Sequence, residues 1–151
     1  MNGTYRNILA PYDGSEYSKK ALHIATQLAK INQAQVYVVN VVDISQVKPP
    51  GKFFSRSEQK SLEQIKRAVK ESAKSSMYEI QQSGENFGIS IKSFVLEGPV
   101  SKKLLQFIKQ YNIDLVVVGS RGLSGISRIM TLGSVSRNIS EEADCPVIIV
   151  H

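Results

Sequence analysis

The apolar residues of this chain fall into five short runs that are rich in Val, Ile and Leu. Runs of this kind, bounded by turn residues, predict β-strands, and they cover residues 7–12, 35–43, 89–97, 114–119 and 146–150. The second and fourth runs are almost continuously apolar, which is typical of strands covered on both faces. The third run alternates between apolar and polar residues before it becomes apolar, so we expect it nearer a sheet edge.

Between these runs, apolar residues recur at intervals of three and four, which predicts four amphipathic helices. The first covers residues 15–31 with Ser15 as its cap, the second covers about 58–82 and ends before Gly84 and Gly88, and the last covers about 134–142. The third begins near Pro99, which suits a first helical turn, and its apolar stripe consists of Val100, Leu104, Phe107 and Ile108. Residues 44–57 contain Pro49, Pro50 and Gly51 and are predicted to form a long loop.

Strands that alternate with helices predict an α/β fold in which an open parallel sheet carries helices on both faces. The length of 151 residues predicts one domain over residues 1–151. The hydrophobic fraction of 42% and the charged fraction of 21% are ordinary for a globular protein. We expect a cytoplasmic protein without a membrane segment, because no apolar run approaches the ~18 residues that a membrane helix needs and the single cysteine, Cys145, cannot form an internal disulfide.

The net charge of +6 raises the question of an anionic partner. Many of the basic residues fall on the long second helix, where we interpret them as a solvated face: Lys60, Lys66, Arg67, Lys70 and Lys74. The chain shows neither a compact basic motif nor aromatic residues interleaved with basic ones, so nucleic acid is not favoured as a partner.

In an open parallel sheet, ligands bind beyond the carboxyl ends of the strands, where the strand order reverses. The first strand ends in Pro11-Tyr12-Asp13-Gly14-Ser15, which matches neither GxGxxG nor the Walker phosphate loop. It supplies one carboxylate, Asp13, which could hold a ribose hydroxyl, a base edge or a metal ion. The alternative is that Asp13 only shapes the turn before the helix, and the residues alone leave both interpretations open.

The fourth strand leads into a glycine- and serine-rich segment, residues 119–136. It opens with Gly119-Ser120-Arg121-Gly122, and Gly133-Ser134-Val135-Ser136 starts the last helix. Glycines leave backbone N–H groups accessible, and N–H groups at a helix N-terminus attract anions. The hydroxyls of Ser134 and Ser136 add donors, and Arg121 and Arg128 add positive charge. We therefore favour an anion site over a plain connection with a helix cap at Ser134.

Three stretches together resemble the universal stress protein family over nearly the whole chain. They are NILAPYDGSEYSKKAL, VVNVVD and DLVVVGSRGLSGISRIMTLGSVS, the last followed by CPVIIV. The ATP-binding branch of that family carries Gly, two residues, Gly, nine residues, then Gly-Ser or Gly-Thr. Gly119, Gly122, Gly133 and Ser134 match these positions, but ten residues, Leu123 to Leu132, stand where the pattern has nine. We expect the extra residue to enlarge the turn around residues 126–132.

The resemblance implies the adenine nucleotide alpha hydrolase-like fold, with strand order 3-2-1-4-5, and ATP as the ligand, with Mg²⁺ or Mn²⁺. Asp13 and the backbone at Pro11 and Tyr12 would face the nucleoside, and the main chain of Val41 would meet the adenine. The residues implied for the ribose and phosphates are Gly119, Gly122, Gly133, Ser134, Val135 and Ser136. Arg121 is our own addition, as a phosphate contact.

The resemblance also implies a homodimer through the last strand, Pro146–Val150, whose apolar edge invites pairing. The alternative is that neighbouring loops cover that edge. For activity, His23 inside the first helix, the terminal His151 and Cys145 form no evident catalytic set. A nucleotide-binding regulator of the stress response is therefore favoured, and the alternatives are a slow Mg-dependent ATP hydrolase and a nucleotide-free interaction module.

Overall fold

The computed structural model describes residues 4–47, 55–123 and 132–151. Five strands form one parallel sheet in the order β3-β2-β1-β4-β5, which confirms the predicted fold class and strand order. The strands are β1 (Asn7–Pro11), β2 (Gln35–Val42), β3 (Ile91–Glu97), β4 (Leu115–Gly119) and β5 (Val147–Val150). The α-helices between them are α1 (Glu16–Asn32), α2 (Arg56–Asn86), α3 (Val100–Gln110) and α4 (Ser134–Glu142).

The central strand β1 pairs with β2 on one side and with β4 on the other. Its start is held by the side chain of Asp114, whose carboxylate accepts the backbone N–H groups of Arg6 at 2.8 Å and Asn7 at 3.0 Å. Because Asp114 directly precedes β4, these bonds fix the register of the two central strands. The carboxyl ends of β1 and β4 consequently lie side by side, where the order of the strands reverses.

Each face of the sheet buries its own apolar cluster, as a parallel sheet requires. Alternate residues of β1, β2 and β4 face α1 and α2 on one side, where the small side chains of Ala21, Ala25 and Ala29 let α1 approach closely. The other residues face α3 and α4, where Leu104, Phe107 and Ile139 are almost fully buried. The predicted cap is confirmed, because the Ser15 hydroxyl accepts the backbone N–H of Ser18 at 3.1 Å.

Helix α2 differs from its prediction at both ends. It continues through Gly84 to Asn86, and the lack of a side chain at Gly84 makes room for Ile91 at the start of β3. The helix stops before Gly88, which adopts a φ of +71° that favours glycine. At the other end Ile65 and Val69 are 49% and 40% exposed, so only the C-terminal half of the predicted stripe packs on the sheet. Of its basic residues, Lys60, Arg67 and Lys74 are exposed as expected, and Lys66 and Lys70 are half-buried beside glutamates.

The predicted loop at residues 44–57 contains regular structure at both ends. Ile44–Val47 form a single 3₁₀ turn after β2, and Ser55 caps α2 through a reciprocal bond with Glu58. That bond lowers the pKa of the Glu58 carboxyl, because the Ser55 backbone N–H and hydroxyl both donate to it. In the described part of the chain, no helix is long and apolar enough to cross a membrane.

Candidate functional site

A cleft of about 1290 Å³ opens at the carboxyl ends of the strands. Its floor comes from the ends of β1, β2 and β4, and its walls come from the loop after β1, the N-terminal part of α4 and one face of α3. This is the crevice that the reversal of strand order creates in a doubly wound sheet. The predicted position of the site is therefore where the structure has a cavity large enough for a small-molecule ligand.

The cleft brings together every site residue that the sequence singled out, apart from Arg128, which lies outside the described residues. Those that line it are Pro11, Tyr12, Asp13, Val41, Gly119, Arg121, Gly122, Gly133, Ser134, Val135 and Ser136. The expected enlarged turn also falls mainly on residues 124–131, outside the described residues. Residues from three separate parts of the chain thus meet in one cavity, as the pattern of strands and loops predicted.

Asp13 joins the loop after β1 to the start of the glycine-rich segment. Its Oδ1 accepts the backbone N–H of Ser15 at 2.9 Å, and its Oδ2 accepts the backbone N–H of Leu123 at 3.1 Å. A Cβ on Gly122 would stand 2.7 Å from the same Oδ2, so glycine is needed there for the carboxylate to reach Leu123. Asp13 therefore shapes the turn before α1, which was one interpretation of it. It also lines the cleft, as the second interpretation, a ligand-binding carboxylate, requires.

The N-terminus of α4 faces the same cleft with its backbone donors largely open. Gly133 occupies the cap position in extended conformation, and no side chain of the described residues caps the helix. The alternative interpretation placed a helix cap at Ser134, but Ser134 is the first helical residue and Gly133 holds the cap position. The N–H groups of Ser134, Val135 and Ser136 belong to the first turn, which has no intrahelical acceptors. This turn carries the positive end of the helix dipole.

Two of the expected phosphate donors are engaged within the protein. The N–H of Gly133 donates to the carbonyl oxygen of Ser120 at 2.8 Å. The hydroxyl of Ser136, only 2% exposed as a residue, lies within hydrogen-bond distance of the carbonyl oxygens of Ser120 and Gly133. These bonds brace the helix N-terminus against the end of β4. Among the described residues, the groups left open toward the cleft are thus the backbone donors of the first turn and the exposed Ser134 side chain.

Apart from Val41, sequence reasoning missed the residues that the end of β2 and helix α3 contribute to the cleft. Val39 and Asp43 line it beside Val41, and Val100, Leu104 and Lys109 supply the facing wall on α3. The signal for Asp43 was present, since it directly follows a buried strand, as Asp13 does. The face of α3 could not be assigned from periodicity, because its stripe serves both the core and the cleft.

The residues considered for catalysis lie away from this cavity. His23 is exposed on α1, where its ring lies 2.9 Å from the Gln27 amide nitrogen. Cys145 packs against the α3–α4 side of the core, and burial, together with the charges of Asp114 and Asp144, raises the pKa of its thiol. Within the described residues, no histidine or cysteine lines the cleft, and no group of three metal-ligating side chains is found.

Comparison with known proteins assigns the family. The model of the universal stress protein family matches residues 4–151. This chain belongs to the universal stress protein family. Among relatives of this universal stress protein, MJ0531 of Methanocaldococcus jannaschii is 33% identical over 146 residues, which are 97% of this chain and 82% of the relative. YxiE of Bacillus subtilis is 31% identical and aligns over 97% of this chain and 99% of its own length.

Solved structures show the same architecture. Universal stress protein UspA from Lactobacillus plantarum superposes with a TM-score of 0.85 at 27% identity and covers 99% of this chain and 100% of its own. MJ0577 superposes with a TM-score of 0.81 at 25% identity, over 97% and 95% of the two chains. More distant matches, at 22% and 21% identity and TM-scores of 0.64 and 0.60, are universal stress proteins solved in complex with cAMP and with dAMP. At that identity, their likeness to this chain shows the shared fold.

Proposed function

We propose that this universal stress protein binds an adenine nucleotide, ATP, in the cleft between the ends of β1 and β4. The observation that carries the proposal is the N-terminus of α4, which no side chain of the described residues caps and which faces Asp13 across one cavity. Helix N-termini of this kind hold phosphate groups through backbone N–H groups and the helix dipole. The binding of cAMP and dAMP by distant members of the family supports a nucleotide as the ligand class.

The described residues fit the two ends of a nucleotide. Pro11, Val39 and Val41 give an apolar floor for a base at the β1–β2 side, and the α4 N-terminus gives donors for phosphates at the β4 side. Asp13 stands between them, and a carboxylate can accept further hydrogen bonds from ribose hydroxyls while it keeps those from Ser15 and Leu123. The ion that would accompany the phosphates is Mg²⁺ or Mn²⁺, since such ions are bound largely through the phosphates themselves.

We favour a regulator whose partners respond to its nucleotide state over an enzyme. Hydrolysis needs a positioned base, and the carboxylate of Asp13 already accepts two backbone N–H groups. A slow hydrolase has no separate observation in its favour. The unpaired Cys145 agrees with a reducing compartment, which supports the cytoplasm as the place of action.

We also propose that two copies pair through β5. This strand lies at one edge of the sheet, and Ile148 on it is 37% exposed. At the opposite edge, the side-chain oxygen of Gln81 on α2 accepts the backbone N–H and the hydroxyl of Ser93, so the β3 edge is partly covered. Uncovered edges invite pairing with another chain, which favours the β5 edge as the contact of a two-fold dimer.

Thermal melts with Mg·ATP test nucleotide binding. A ligand that binds only the folded protein adds about 2.7 kcal/mol of stability at one hundred times its Kd, so the melting temperature should rise with ATP. Gly133→Val should abolish the rise, because its side chain would project at the mouth of the α4 N-terminus, beside the Ser120 carbonyl and Arg121. Ser140→Val, on the exposed part of the same helix, is the matched control and should keep it. The absence of any shift at millimolar ATP would refute the proposal.

A further inference from the structure

Asp43 lines the cleft directly after the end of β2 and was not among the residues implied by the family pattern. It follows β2 directly, and alternation along that strand places Val39 and Val41 toward the same side. Val39 and Val41 pack toward α3, and all three residues line the cleft. Asp43 is half-buried as a residue and forms part of the wall of the cleft.

The two oxygens of this carboxylate differ in their surroundings. Oδ1 accepts the backbone N–H of Ser45 at 3.0 Å and the Ser45 hydroxyl as well. Oδ2 has no hydrogen-bond partner in the described part of the chain. The bonds to Ser45 fix the carboxylate in the turn after β2, and the described residues supply no donor for its second oxygen. An ionised carboxylate only accepts hydrogen bonds, so a ligand group that meets it must donate.

We infer that Asp43 selects the purine base through its six-position, favouring an amino group over a carbonyl. The inference rests on the proposed function, in which the base lies at the end of β2. A 6-amino purine offers N–H donors at this position, whereas a 6-oxo purine presents a lone-pair acceptor there. The carboxylate attracts the first and repels the second, and specificity of this kind combines an attractive contact with a repulsive one.

The conservative substitution Asp43→Asn separates selectivity from folding. The Oδ1 of asparagine can keep both bonds to Ser45, while an NH₂ group replaces the unpartnered oxygen and can donate to a 6-oxo group. The fold should therefore be retained, which a melt without nucleotide checks. Asp144→Asn is the matched control for charge. Asp144 is exposed and lies before β5, at the amino ends of the strands, whereas the cleft lies at their carboxyl ends.

The measurement is the dissociation constant of Mg·ATP and of Mg·ITP by isothermal titration calorimetry, for the full chain and both variants. A hydrogen bond to a charged group corresponds to about 10- to 100-fold in affinity, so the wild type should bind ATP at least about tenfold more tightly than ITP. Asp43→Asn should reduce that ratio to about threefold or less, chiefly through tighter ITP binding, and Asp144→Asn should leave it unchanged.

The outcomes distinguish this inference from the proposed function. If the wild type binds ATP but does not discriminate against ITP, or if Asp43→Asn keeps the full ratio, the role of Asp43 is refuted and nucleotide binding stands. If Asp144→Asn lowers the ratio as much as Asp43→Asn does, the effect comes from net charge and the inference is also refuted. If the wild type binds neither nucleotide, both proposals are wrong.

Discussion

The substitution Gly119→Ala tests how closely α1 packs on the end of β4. A Cβ added at Gly119 would stand 2.8 Å from the carbonyl carbon and the Cβ of Tyr17, and 3.0 Å from its carbonyl oxygen. The shortest ordinary contacts of a Cβ are 3.4 Å, and the obstructing atoms include the backbone of the first turn of α1. The clash therefore cannot be relieved by rotating one side chain, so the helix or the strand end must move.

The expected loss of stability follows from the known effect of overpacking. Extra atoms in a well-packed region destabilise a protein by about 1–3 kcal/mol. For a chain of this length, each kcal/mol lowers the melting temperature by about 2–4 °C, so Gly119→Ala should lower it by about 2–12 °C. Gly133→Ala is the matched control, because its closest contact, 3.3 Å to the Ser120 carbonyl oxygen, is only slightly tighter than an ordinary one and its φ of −61° suits any residue. It should remain within about 1 kcal/mol of the wild type.

Urea unfolding followed by far-ultraviolet circular dichroism measures both variants. Gly119→Ala should shift the midpoint to lower urea with an unchanged slope, since the surface exposed on unfolding is the same. A free energy of unfolding within about 0.5 kcal/mol of the wild type, the range of ordinary surface substitutions, would refute the close packing of α1 on β4. The geometry given for the cleft would then be wrong as well, because Gly119 forms part of its floor.

Three further predictions concern the rest of the molecule. Asp114→Ala removes the acceptor of the Arg6 and Asn7 N–H groups, so it should lower the free energy of unfolding in urea by about 1–3 kcal/mol. Asp114→Asn should lower it less, and equal losses in the two variants would contradict the role given to this carboxylate. The raised pKa of the Cys145 thiol leaves less thiolate at pH 8, so Cys145 should react more slowly with Ellman's reagent in the native protein than in urea. The difference between the two rates should narrow as the pH rises. Equal rates in the native and the unfolded protein would contradict the burial of Cys145. Ile148→Lys should convert a dimer into a monomer in light-scattering chromatography, whereas a wild type that is already monomeric at high micromolar concentration would refute pairing through β5.

The order of the elements was predictable because the strands are short apolar runs bounded by turn residues, whereas the helices repeat apolar residues at intervals of three and four. The ends of α2 were not. Gly84 normally disfavours a helix interior, and only the proximity of Ile91 shows why it is tolerated there. The exposed Ile65 and Val69 fit the same helical stripe as the buried Ala73 and Met77, so periodicity alone could not show that the stripe leaves the sheet halfway along.

The cleft was predictable to the level of its loops, because parallel strands place their carboxyl ends at one edge of the sheet. The hydrogen-bond partners were not, since they depend on contacts between distant residues. Asp13 reaches Leu123 across 110 residues of sequence, and the carbonyl of Ser120 takes the N–H of Gly133. Asp43 satisfies the same rule that singled out Asp13, but only the structure shows that Ser45 holds one of its oxygens and that no other described residue donates to the second.

The most direct test of the central claim is a titration of the ¹⁵N-labelled protein with Mg·ATP, followed through its backbone amide resonances. If ATP binds in the cleft, the amide chemical shifts should change saturably, most for the N–H groups of Ser134, Val135 and Ser136 and for those around Asp13 and Val41. Gly133→Val should remove these shifts. Saturable shifts confined to other parts of the chain, or none at millimolar ATP, would contradict the assignment of the α4 N-terminus as the phosphate site.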